Sequence, residues 1–133
     1  MSLVLDVSVA LAWILPDEEE PSASAAMAYV SRHGAVVSPI WWFELRNALL
    51  MAERRNRLTP TATAQSLDDI GRLPIEPDSE LSEHAIFALA RTHRLTVYDA
   101  AYLEIALRRH LSLATLDKAL ARAAIAEGAK IFA

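Results

Sequence analysis

The sequence predicts an α/β fold: a three-layer α/β/α arrangement around a central parallel sheet of about five short strands. Three observations predict it. Apolar runs of about five residues recur along the chain, and stretches with helical spacing separate them. The runs are nearly continuous in apolar character instead of alternating, as strands covered on both faces are.

The elements follow in order. "LVLD" is a strand ending in a carboxylate, and "VSVALAWIL" runs to Pro16 as a helix with Val9, Ala12 and Trp13 on one side. "PDEEEP" is expected as an acidic surface turn, and "PSASAAMAYVSRHG" as a helix stopped by Gly34. "AVVS" is a strand closed by Pro39, and the longest helix follows, with apolar residues at 41, 45, 48, 49 and 52. Thr59 and Pro60 give the N-cap and first position of another helix, and "LPIEP" is a third strand. "SELSEHAIFALARTHR" and "TVYDAAYLEIALRRH" read as helices, "LSLAT" as a strand, "LDKALARAAIAEG" as a helix and "AKIFA" as a closing strand. No repeat or linker divides these elements, so residues 1–133 are expected to form one domain.

Composition narrows the function. A net charge of −4 offers polyanions no bulk attraction, so binding phosphates needs a local basic patch or a metal ion. With no cysteine there are neither disulfides nor thiolate metal sites, which suits the cytoplasm. Neither a secretion signal nor an apolar stretch of about 20 residues is present, so no membrane association is expected.

In parallel sheets, ligands bind beyond the carboxyl ends of the strands, where helix N-termini gather. Asp6, Asp99 and Asp117 are placed by the sequence at three strand-to-helix junctions, and Glu44 lies one turn into the helix after the second strand, among Ile40, Trp41, Trp42, Phe43 and Leu45. Each Asp alone reads first as a helix cap or first-turn acid, and Glu44 alone equally as a solvent-facing residue. Together they require more, because four converging carboxylates repel one another unless a cation offsets them. All-oxygen ligation favours Mg2+ or Mn2+ over zinc.

Other residues read more plainly. Ser8 and Thr115 suit backbone capping, or the orienting of a carboxylate. His33, His84, His93 and His110 lack ligand spacing, and Glu104, Asp68 and Asp69 suit solvated helix faces. Arg46, Arg54, Arg55, Arg57, Arg108 and Arg109 suit solvated helix ends or contacts to phosphates. Trp41, Trp42 and Phe43 are consecutive, and neighbours on a helix lie about 100° apart, so at least one must be exposed or at an interface.

The order "LDVSVALAWIL", "SPIWWFELRNAL", "VYDAAYLEIA", "LATLDKALARAA" resembles the PIN domain, and within it the VapC toxins of toxin–antitoxin pairs, over nearly the whole chain. The resemblance implies a Rossmann-like parallel sheet and a Mg2+- or Mn2+-dependent endoribonuclease. Its acidic quartet maps onto Asp6, Glu44, Asp99 and Asp117, as metal ligands and catalytic residues, with no position substituted. It also implies a VapB-type antitoxin partner, an RNA substrate and a homodimer. Two alternatives stay open: a protein-binding module of the same fold without activity, and a haloacid-dehalogenase-type phosphatase. The latter wants a second Asp two residues after Asp6, where Ser8 stands.

Overall fold

The computed structural model describes residues 1–17 and 20–133. Its elements are β1 (Leu3–Leu5), α1 (Val7–Ile14), α2 (Pro21–His33), β2 (Ala35–Val37), α3 (Trp41–Arg54), α4 (Pro60–Gly71), β3 (Ile75–Pro77), α5 (Glu83–His93), α6 (Val97–Arg109), β4 (Leu113–Ala114) and α7 (Lys118–Ala126). The expected acidic turn falls partly on Glu18 and Glu19, which lie outside the described residues.

All strand pairings are parallel, in the order β3-β2-β1-β4. Central β1 is wholly buried at Leu3, Val4 and Leu5, and each such side chain contributes about 1.5–3 kcal/mol. Pro77 ends edge strand β3, where a missing N–H costs least. One group of helices, α1 with α2 and α3, packs together, as does a second, α5 with α6 and α7; α6 lies directly on β1 and β4. The sheet flanked by these helices is the expected three-layer α/β/α sandwich.

The closing strand is a correction. Among the described residues "AKIFA" makes one bridge, Ile131 to Leu113, held by two backbone hydrogen bonds, from the Leu113 amide to the Lys130 carbonyl and from the Phe132 amide to the Leu113 carbonyl. The sheet therefore has four strands, not about five.

Capping explains several boundaries. Thr59, Ser82, Thr96 and Asp117 each accept a hydrogen bond from the amide three residues on. Gly34 leaves α2 at φ +82°, and a Cβ there would stand 2.9 Å from the Pro74 carbonyl oxygen. That same oxygen accepts from the Ala35 amide, so the glycine lets β2 begin flush against β3.

Candidate metal centre

Asp6 leaves β1 at the N-cap position of α1, yet its side chain caps nothing. It is 4% exposed, and its Oδ2 accepts from Thr115 Oγ1 at 2.6 Å and Ser8 Oγ at 2.9 Å. These hydroxyls also accept backbone amides, Ser8 from Leu116 and Thr115 from Asp117. The ends of β1 and β4 are thereby tied to each other through one carboxylate. Burial raises the Asp6 pKa; the Thr115 and Ser8 hydrogen bonds pull it down, and the charge of Asp117 raises it further.

Glu44 is half-buried in the first turn of α3, and the fully buried Tyr102 donates its phenol to Glu44 Oε1 at 2.5 Å. Burial raises this carboxyl, the Tyr102 bond opposes that, and the charge of Asp6 adds to it. Asp99 lies in the first turn of α6, its amide held by the Thr96 cap. Burial, then the charges of Asp6, Asp117 and Glu44, push its pKa up to about 6. Asp117 caps α7 by accepting from the Leu120 amide at 3.1 Å. The structure thus brings all four predicted acids into one electrostatic neighbourhood. Among the described residues no Lys or Arg pairs with any of them.

Several expectations need correcting. Asp99 does not follow a strand: it opens α6, which comes after α5. Nor is it a cap, since Thr96 takes that place. Capping does describe Asp117. Ser8 and Thr115 do more than cap, because their hydroxyls hold Asp6. Glu104 is not solvated; it is 3% exposed and accepts from Arg108, which also reaches Asp78, as does Arg109. Arg108 and Arg109 are therefore committed to internal carboxylates. Arg46 lies over the Trp42 ring, and Arg57 pairs with Asp17. Among the described residues the histidines join no ligand cluster; His93 meets Glu127 at 2.6 Å, and His110 ends α6. Tyr102 is the site residue that sequence reasoning missed. A tyrosine inside an apolar helix looks like core, and only its spacing of three from Asp99 hinted that both face one way.

Comparison with known proteins decides the family. The family model of the PIN domain matches residues 3–126. The chain belongs to the PIN domain family. This PIN domain is 31% identical over 125 residues to Ribonuclease VapC3 of Pyrobaculum aerophilum, covering 91% of this chain and 93% of that one. Its fold matches the crystal structure of PAE2754 from Pyrobaculum aerophilum with a TM-score of 0.72 at 21% identity, over 92% of this chain and 84% of the other.

The PIN domain's donor set fits a hard divalent cation in chemistry: four carboxylates, two of them locked by hydroxyl groups, with no organic cation among them. Among the described residues no three acidic or histidine side chains stand close enough to grip one ion together. An ion here would take one or two carboxylates directly and complete its shell with water, as magnesium commonly does.

Proposed function

We propose that this PIN domain, a single domain over residues 1–133, is a Mg2+- or Mn2+-dependent endoribonuclease and the toxin of a type II toxin–antitoxin pair. The observation that carries the reading is the uncompensated cluster itself. Four acids share one field without a basic partner among the described residues, and Asp6 and Glu44 are oriented by dedicated hydroxyls from distant parts of the chain. Charge crowded at a functional cost of this kind marks sites built for a cation.

Asp6, Glu44 and Asp99 would hold the ion directly or through water, and Asp117 would orient a water from the edge while it caps α7. When bound, such an ion acidifies a coordinated water and offsets charge developing on a phosphodiester. The chain's own residues supply the rest. Ser8 and Thr115 leave Asp6 Oδ1 as the oxygen without a hydroxyl partner, and Tyr102 likewise leaves Glu44 Oε2. Ser8 is committed to Asp6 and carries no carboxyl, so the acid that a dehalogenase-type phosphatase needs is missing.

The likeness to Ribonuclease VapC3 supports a VapB-type antitoxin as partner and an RNA substrate; the reading adds a homodimer, and an antitoxin Arg or Lys inserted among the four carboxylates. A cytoplasmic setting suits these partners; no helix among the described residues is long and apolar enough to cross a membrane. The test is RNA cleavage by purified protein with Mg2+ or Mn2+. Cleavage that stops with chelator and in Asp6→Asn supports the reading; cleavage that persists in chelator refutes it. Co-expression with the adjacent gene's product tests the partner, and a lone protein harmless when induced would count against the toxin.

A further inference from the structure

Trp42 and Arg46 stand about 200° round α3 from Glu44, on the far side of the helix from that acid. They line a separate groove. Its volume is about 300 Å³, at the small end of the range for ligand pockets, and Leu67, Ile70, Leu73 and Ile75, from α4 to β3, give it apolar walls. No Asp or Glu lines it among the described residues.

Three features of this lining go beyond packing. Trp41 is 5% exposed, and its buried indole N–H has no acceptor among the described residues. A buried donor left unpaired is unfavourable. The Arg46 guanidinium lies 3.7 Å over the Trp42 ring and donates to the Trp42 carbonyl, and among the described residues no carboxylate pairs with it. Desolvation without an anion pulls its pKa down. Gly71 ends α4 without a positive φ, and a Cβ there would meet nothing within 4 Å, so neither conformation nor crowding calls for glycine. In a helix, glycine is less stable than alanine. Its missing side chain leaves the groove open.

We infer that this groove binds a small amphipathic carboxylate, with its apolar body between α3 and α4, its anion on Arg46 and a second acceptor taking the Trp41 N–H as the ligand wedges the wall aside. Charge argues for the anion. The groove carries one cation and no acid, in a chain whose acids outnumber its Lys and Arg, so it is complementary to a single negative charge. Its size argues for a small molecule. A second copy of the chain or another protein could cover the same face, but neither needs an open glycine wall or an unpaired donor in its depth. The site involves neither metal nor RNA, so it stands or falls apart from the ribonuclease reading.

The test follows the indole N–H resonances of the full chain by proton–nitrogen NMR as β-benzoylpropionate, which carries a phenyl ring, a ketone and a carboxylate, is added. The chain has three tryptophans. Trp42→Phe and Trp13→Phe each remove one resonance, which leaves that of Trp41. The acid should bind with a Kd of about 1 mM or tighter and move the Trp41 resonance. Its methyl ester, which lacks the charge, should bind about 10- to 150-fold more weakly, and Arg46→Gln should lose the acid by a similar factor. Gly71→Leu should keep its melting temperature and bind no acid, because its side chain fills the space the ligand needs. An ester that binds as well as the acid would overturn the site, as would binding retained in Arg46→Gln or in folded Gly71→Leu. So would a Trp41 resonance that ignores the acid. If that resonance moved instead with protein concentration, a second copy would be the occupant, and if it moved only with a co-expressed protein, the groove would be a protein interface.

Discussion

Two groups of buried and half-buried acids in this molecule are built from the same residue types and handled in opposite ways. Around Asp78 and Glu104, two arginines close the account: Arg108 reaches both carboxylates at 2.8–3.2 Å, and Arg109 reaches Asp78 at 3.2 Å. Burial acts to raise the Asp78 carboxyl, but hydrogen bonds from Arg108, the Glu80 amide and Arg109 outweigh it and leave it below its ordinary value. Around Asp6, Glu44 and Asp99 burial meets no basic side chain among the described residues, and all three carboxyls are raised. The first group supports the fold. The second has no counter-charge among the described residues, as the proposed cation site requires. The difference teaches that burial of an acid is no guide to its role until its counter-charge is identified.

The contrast can be broken most sharply at Asp99. Asp99→Asn should lower RNA cleavage about 100-fold or more, the scale of removing one preorganised electrostatic group, while metal-free stability stays level or rises. Steady-state cleavage and urea unfolding in chelator measure the two sides. A variant that unfolds yet keeps its activity would reverse the assignment. Next comes Arg108→Leu, which strands Asp78 and Glu104 without a shared counter-charge. It should cost about 3 kcal/mol in urea unfolding and leave the Mn2+ affinity of the folded protein unchanged.

Smaller effects sharpen the comparison. Thr115→Val and Tyr102→Phe keep side-chain volume and remove only the hydroxyl that holds Asp6 or Glu44. Each should weaken Mn2+ binding about 10-fold, read by calorimetry without RNA, while Thr63→Val, at a buried hydroxyl with no partner, should not. The smallest effect is in pH. Folded Asp99 keeps its proton to about pH 6 against an ordinary value of 3.8, so the native state binds more protons between these values. Metal-free stability should therefore rise as pH falls from about 6 to about 4. Asp78 acts the other way: its depressed pKa gives stability present above its ordinary value, lost as pH falls through the folded one. Thermal melts in chelator should show the gain on acidification flattened in Asp99→Asn and the loss at lower pH retained.

Much of this was legible in the sequence, for physical reasons that can be named. The strands β1 and β2 and the helices after them follow from apolar runs broken by Asp6, Pro39 and Gly34. Asp6, Glu44, Asp99 and Asp117 stood out because a charge beside an apolar run needs a reason. Glu104 misled because Glu and Arg four apart on a helix look like a surface pair, and the third member, Asp78, lies far off in sequence. Tyr102 was invisible because a phenol is apolar in every pattern except the one bond that matters. The closing strand was overread because "AKIFA" has strand composition, while its pairing among the described residues is the one bridge to Leu113.

The hydrogen bonds that orient the acids have a consequence in time. Thr115 holds Asp6 across 109 positions, and Tyr102 holds Glu44 across 58. A ribosome emits the chain from its N-terminus at about 5–20 residues per second, so Asp6 and Glu44 emerge seconds before the hydroxyls that aim them. Until α6 and β4 have left the ribosome and docked, the first two acids sit on an unfinished sheet with neither Asp99 nor Asp117 beside them. Chain order thus leaves the four-acid cluster incomplete until nearly the whole chain has emerged.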